Sequence, residues 1–382
     1  MTCWAALAML NLSAGVVVSS QPHRLYDLAS IREWAWYWLV AGANIYEPGG
    51  WGPVDYPPNA MVLLSPLGLL SLGVAHPVWM LLNVAMAVLA PYLAARFFRP
   101  HDPFGVIALP ILMFLCWGGM RTLTQFTLLA LTCSMAAMVT ANSRQIAAGA
   151  WLGLAMMKPQ VAVPVFLWSV FTRRWRLVLT SIAVIGGLIA VFCVRAGARP
   201  AWVAERYVEI LAVYHTGTTN LAGISELRPL IRQLVSNVSE VDAIATSLAL
   251  GILAAICVMG FQEGASRRRV LYAAPPLVAC WSLMTFYHLT YGFVILLPVM
   301  MLLALNDSEQ STLRKTLFWT LQLGMMFDIP GLSRRGGLEG TPLFTHVLAH
   351  ADRALILLLF VGLIVLAWRQ PPETRDAQFT CR

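Results

Sequence analysis

"WGPVDYPPNAMVLLSPLGLLSLGV", residues 51–74, turns within a few positions from a proline- and glycine-rich loop into an apolar run. Proline lacks an amide donor and pushes the residue before it out of helical geometry, so Pro57-Pro58 stops any helix arriving from upstream. The preceding Pro48-Gly49-Gly50-Trp51-Gly52-Pro53 is non-helical for related reasons. A loop that closes on Asp55 and Tyr56 and then runs into apolar sequence is the mouth of a membrane helix. Apolar runs near the length that crosses ~30 Å of hydrocarbon recur from end to end of the chain.

The composition agrees. Of 382 residues, 59% are hydrophobic and 12% charged, with mean hydropathy +0.70; an average soluble domain is about 25% charged. The chain reads as an all-α polytopic membrane protein, and the period-2 alternation of a β-barrel is absent. The net charge of +8 belongs to arginines at membrane edges rather than to a nucleic-acid surface. The seven cysteines (Cys3, Cys116, Cys133, Cys193, Cys257, Cys280, Cys381) have no ligand-like spacing and read as small buried hydrophobes. Residues 4–20 read as a first transmembrane helix, because Met1–Trp4 lacks the basic residue a cleavable signal needs.

Candidate spans fall at 4–20, 58–74, 76–96, 104–119, 122–140, 145–172, 176–194, 243–261, 270–286, 289–305, 315–330 and 352–369. They form a single integral membrane domain, with a catalytic module over 1–194 and C-terminal helices over 243–382. The span 145–172 contains Lys158-Pro159 and is either one kinked helix or a hairpin. With twelve spans, the two long connections, 21–57 and 195–242, share one side. Arg173, Arg174, Arg176, Arg267, Arg268, Arg269, Arg314 and Lys315 lie on the other, which the positive-inside rule makes cytoplasmic. Arg96, Arg99, Arg144, Arg334 and Arg335 then stand outside, against the rule. In "SIREWAWYWLVAGANIY" (30–46), Ile31, Trp34, Trp38 and Leu39 share a helical stripe, the pattern of a short interfacial helix. "GISELRPLIRQLVSN" (223–237) reads as a second one.

Polar residues concentrate in the first loop: Asp27 opens it, Gly42 and Tyr46 follow, and Asp55-Tyr56-Pro57-Pro58 closes it. An acidic residue, an amphipathic helix ending in Gly-x-x-x-Tyr, and Tyr-Pro-Pro at the next apolar run together resemble the polyprenol-phosphate-sugar-dependent glycosyltransferases of the GT-C fold. More narrowly, the chain resembles glycosyltransferase family 87, which includes bacterial polyprenol-phosphate-mannose α-mannosyltransferases. "RTLTQFTLLAL" (121–131) resembles that family's Arg-x-x-x-Gln segment. There the family more often has Gly-Gln-x-Asn, where this chain has Thr124-Gln125-Phe126-Thr127. "AAGAWLGLAMMKPQ" (147–160) and "FYHLTYGFVILLP" (286–298) match its later segments in order.

The resemblance implies an enzyme of the bacterial cell membrane that moves a sugar, mannose by analogy, from a polyprenyl phosphate to a glycolipid or glycan acceptor. The reaction inverts the sugar, faces the extracytoplasmic side, and requires no cofactor or metal. It needs a base for the attacking hydroxyl and cations for the departing phosphate. The resemblance assigns the base to Asp27, whose other reading is a helix N-cap; Asp55, beside Tyr56, is the rival base. Lys158 lies inside an apolar run, where an ammonium faces a cavity or partner or else snorkels to the interface. Arg121 and Gln125 share the phosphate duty, and Arg228 and Arg232 offer guanidinium forks that match phosphate. His288, at the start of a late span, positions a substrate or shuttles a proton. His346 and His350 have metal-pair spacing, but nothing nearby completes a ligand set. A transporter or flippase of lipid-linked sugars is the alternative, and it would place charged pairs or broken helices near the bilayer midplane.

Overall fold

Hydrocarbon offers backbone amides no partner, so a chain this apolar folds as helices whose hydrogen bonds are internal. The computed structural model describes residues 1–21, 26–47, 54–121, 123–217, 226–232, 234–235, 237–261, 265–286, 290–305, 312–327 and 347–369, with isolated positions at 333, 336–338, 341 and 343. Among these no strand occurs. The helices are α1 (Thr2–Ser19), α2 (Tyr26–Trp36), α3 (Pro58–Gly68), α4 (Leu72–Phe98), α5 (Phe104–Leu115), α6 (Thr127–Thr140), α7 (Gln145–Ala155), α8 (Pro159–Phe171), α9 (Trp175–Ala196), α10 (Pro200–Gly217), α11 (Arg228–Ile231), α12 (Val238–Phe261), α13 (Ala265–Thr285), α14 (Leu297–Leu305), α15 (Thr312–Phe327) and α16 (Ala351–Arg369). A π-turn, Tyr37–Ala41, extends α2, and 3-10 turns cover Gly118–Arg121, Thr290–Leu296 and Leu348–His350.

Length separates these helices into two classes. Thr2–Ser19, Leu72–Phe98, Trp175–Ala196, Ser239–Val258 and Leu348–Ala367 are long and apolar enough to cross a membrane. By contrast α5, α6, α7 and α8 have 12, 14, 11 and 13 residues, roughly 16–21 Å at 1.5 Å per residue, short of the ~30 Å hydrocarbon core. The expected spans 104–119 and 122–140 are each realised as a short helix, α5 and α6, joined by an irregular turn at residues 116–126. Thr124 accepts a bond from Trp79 Nε1 (3.2 Å) and Thr132 Oγ1 reaches the Met86 carbonyl (3.5 Å), so α6 runs parallel to α4. Span 145–172 is likewise a hairpin rather than one kinked helix. Pro159 denies α7 its next hydrogen bond and opens α8 at its first position. The two open ends return to one level, where Arg174 binds Asn142 Oδ1 (2.6 Å) and Trp168 packs on Phe97.

Span 58–74 is also corrected. The helix there, α3, is 11 residues long and lies alongside α2. A Cβ on Gly68 would come within 2.6 Å of the Trp36 nitrogen, and Arg32 Nη1 binds the Leu70 carbonyl at 3.0 Å. With α3 withdrawn and two hairpins recognised, the sidedness changes. The loops after α4, α6 and α8 share one end of the molecule, to which Arg99 (on the Leu305 carbonyl) and Arg314 (on the Leu303 carbonyl) also belong. Arg96, Arg99 and Arg144 thus join Arg173, Arg174, Arg176, Arg314 and Lys315 at one end, instead of contradicting them. The first loop packs at the opposite end, where Trp38 Nε1 donates to the Phe192 carbonyl (3.1 Å) and Arg195 donates to Leu39 and Val40 carbonyls.

The predicted stripe of 30–46 is buried at Ile31, Trp34 and Trp38, against α3 and α9 rather than lipid. The second predicted helix is reduced to the single turn α11, since its first residues lie outside those described. The 18-residue α10 before it was not foreseen.

Candidate active site

The site forms where irregular backbone is held below the loop end of the long helices. Trp79, which bonds Thr124, lies seven residues into α4, so Thr124 sits roughly 10 Å along that helix from its first residue. Non-helical backbone at such depth requires partners, and side chains supply them. Asn11 Nδ2 donates to the Leu115 and Trp117 carbonyls (2.8 and 2.9 Å), and Ser19 Oγ accepts from the Leu123 amide (3.0 Å). Trp117 Nε1 donates to Gln322 Oε1 (2.9 Å), whose Nε2 donates to the Met113 carbonyl (2.9 Å).

The second tip meets the first at Lys158. As the residue before a proline it is extended (φ −131°, ψ 83°), and it is 6% exposed, so it does not snorkel. Its Nζ donates to Thr127 Oγ1 (2.8 Å) and to Gln125 Oε1 (3.4 Å), and stands 5.8 Å from the Tyr56 ring centre. Because an ammonium only donates, Gln125 must turn its oxygen toward Lys158, which leaves Nε2 to donate to Asp27 Oδ2. The result is a chain Asp27–Gln125–Lys158 spanning three segments far apart in sequence. Thr127 Oγ1 accepts from the ammonium.

The first loop closes over this chain. Pro57 is extended (φ −71°, ψ 159°) and Pro58 occupies the first helical position of α3. Tyr56 is therefore fixed, edge-on to Phe126 (5.8 Å), which packs against Trp79 (4.3 Å). Burial raises the pKa of Asp27, and the Lys158 ammonium opposes the rise. Burial lifts Asp55 to about 6, again opposed by Lys158 and reinforced by Asp27. Two carboxyl groups with elevated proton affinity thus flank one buried cation. Such a site can take a proton from a hydroxyl and neutralise a phosphate.

Of the residues expected from sequence, Asp27, Asp55, Tyr56, Gln125 and Lys158 come together. Arg228 is instead engaged by Glu226 (3.0 Å) and Asp242 (2.9 Å) on the second loop, and Arg232 is exposed just after α11. The backbone of Arg121 ends a 3-10 turn, but its side chain, like His288 and His346, lies outside the described residues. His350 sits against Arg353. Tyr207 was not singled out; Tyr46 entered only as the end of the Gly-x-x-x-Tyr pattern and Thr127 only as the last residue of Thr124-Gln125-Phe126-Thr127, neither with a role.

This chain belongs to glycosyltransferase family 87, whose family model matches residues 55–286. The match covers more than half of the 382 residues and includes every clustered residue except Asp27. No curated protein and no solved structure matches the chain.

Proposed function

We propose that this family 87 member, a membrane glycosyltransferase, transfers mannose from a polyprenyl phosphate to a hydroxyl of a glycolipid or glycan on the extracytoplasmic side. The observation that carries this reading is the meeting of Asp27, Gln125 and Lys158 beneath Tyr56. In the proposed step an acceptor hydroxyl attacks the anomeric carbon from the face opposite the phosphate. The new carbon–oxygen bond forms as the bond to the phosphate oxygen breaks, so the sugar inverts. Asp27 takes the hydroxyl proton, and the polyprenyl phosphate leaves with the bonding electron pair. Lys158 offsets the negative charge that builds on that phosphate. Gln125 holds base and cation apart, and Asp55 supplies a second carboxylate beside the cation. Arg121, His288, Arg228 and Arg232 stay candidates for substrate contacts at the rim.

The gathering of arginines at the far end supports an extracytoplasmic site, because short basic loops stay in the cytoplasm. The two hairpins are broken helices of the sort transporters use, yet family membership favours transfer over transport. Incubating membranes with polyprenyl-phosphate-[14C]mannose and candidate acceptors tests the reading. A labelled glycoside that requires Asp27 is expected. Movement of intact lipid-linked sugar between leaflets without a new glycoside would instead make the protein a flippase.

A further inference from the structure

The segment that carries Asp55 and Tyr56 enters the site from a loop, and loops alone do not hold a reacting group to a fraction of an ångström. Two tyrosines from different parts of the chain grip it. Tyr46 follows the left-handed turn at Gly42 (φ 66°) and is 1% exposed. Its hydroxyl donates to the Tyr56 carbonyl at 2.6 Å, and its backbone amide donates to Asn44 Oδ1 at 3.3 Å. Tyr207, on α10 of the second long loop, donates its hydroxyl to the Asp55 carbonyl at 3.4 Å. The two rings meet edge to face at 6.3 Å, and Tyr46 also packs edge-on to Phe192 of α9 (5.5 Å). Consecutive carbonyls are thus held by hydroxyls about 160 residues apart in sequence, and the 2.6 Å bond is the shorter.

We infer that Tyr46 and Tyr207 form a clamp that positions the Asp55–Tyr56 backbone, so that the second long loop holds the first closed over Lys158. The inference rests on the transferase reading for its kinetic consequences but not for its geometry. Neither tyrosine touches the reacting atoms; both are positioning residues. Both phenols are held neutral, since burial raises each pKa, and so they remain donors across the working range. The groups that face Asp55 are Lys158, Asp27, Tyr46 and Tyr207. Dry packing lifts its carboxyl to about 6 and raises that of Asp27 as well, so the acid limb of the wild-type rate profile should sit above the ordinary carboxylate range. As neighbouring carboxyls interact, that limb belongs to Asp55 and Asp27 together.

Tyr46→Phe keeps the ring and removes the hydroxyl. Purified enzyme should lose roughly tenfold in kcat, the cost of one buried hydrogen bond, with KM for donor and acceptor changed about twofold or less. Loosening admits water to Asp55, so the acid limb should move to lower pH, a shift that a merely destabilised enzyme would not show. Amide hydrogen exchange over residues 54–56 should accelerate by about tenfold as the closed state loses that bond. Tyr207→Phe should show the same changes, smaller. Unchanged exchange over 54–56 in Tyr46→Phe overturns the clamp whether or not a sugar substrate has been found. If Tyr46→Phe does not accumulate, unchanged exchange and an unmoved acid limb in Tyr207→Phe overturn it instead. A wild-type enzyme that transfers no lipid-linked sugar, yet shows the exchange difference, leaves the clamp standing and removes the transferase reading.

Discussion

Lys158 is the residue on which the proposed chemistry depends most. Burying an ammonium is costly unless partners compensate, and here Thr127 and Gln125 do so while its charge stays within reach of two carboxylates. The leaving phosphate gains charge in the transition state, so a fixed cation acts there more than on bound substrate. Lys158→Met should fold as well as the parent and lose roughly 10²-fold or more in rate, with Lys158→Arg recovering part; near-normal turnover by the Met variant would hand the phosphate to the arginines. Asp27→Asn should remove roughly 10²–10⁴-fold of rate, the usual share of a general base, whereas Asp55→Asn should keep measurable transfer. Rates measured side by side in membranes decide between them, and the reverse ranking exchanges the two roles. These carboxylates were legible in the sequence because a motif order flagged them. The roles of Thr127, Tyr46 and Tyr207 were not, because a hydroxyl that bonds a distant side chain or backbone leaves no periodic mark.

At the scale of elements, the α7–α8 hairpin brings Lys158 to its place, and a glycine pair secures it. Gly149 and Gly153, four residues apart, put the α7 backbone directly on α9. An added Cβ at Gly149 would approach the Leu177 carbonyl to 2.6 Å, and at Gly153 the Val184 side chain to 2.6 Å. Small residues at this spacing let membrane helices pack closely. Gly153→Ala should cost about 1–3 kcal/mol through overpacking, read as a lower Tm in detergent, and should reduce activity by displacing the tip. Gly186→Ala, with nothing within 4 Å of the new methyl, is the control and should leave both unchanged. The sequence marked the break at Lys158-Pro159 but not its sense. A proline shows that a helix ends, and only the partners of the two ends, Asn142 with Arg174 and Phe97 with Trp168, show that the chain turns back.

For the molecule as a whole, the helical membrane class was plain from composition, and the count of crossings was not. Apolar runs inside a bundle look the same whether they traverse the bilayer or turn back within it, because protein neighbours are as apolar as lipid. The sidedness that follows when α3 does not cross has a direct test at Ser143, between the two hairpins. A cysteine there should react with a membrane-impermeant thiol reagent only after lysis, while one at Ala201 should react in intact cells. Labelling of Ser143→Cys in intact cells would restore the twelve-span arrangement. The meeting of the two tips also has a consequence for how the protein is made. Thr127 and Gln125 precede Lys158 by 31 and 33 residues, so a ribosome delivers the α5–α6 hairpin first. When the next hairpin enters the bilayer with an ammonium at its tip, its acceptors are already in place. Chain order thus works as an assembly schedule, in which a charge that lipid would reject is threaded into a dock built moments before it.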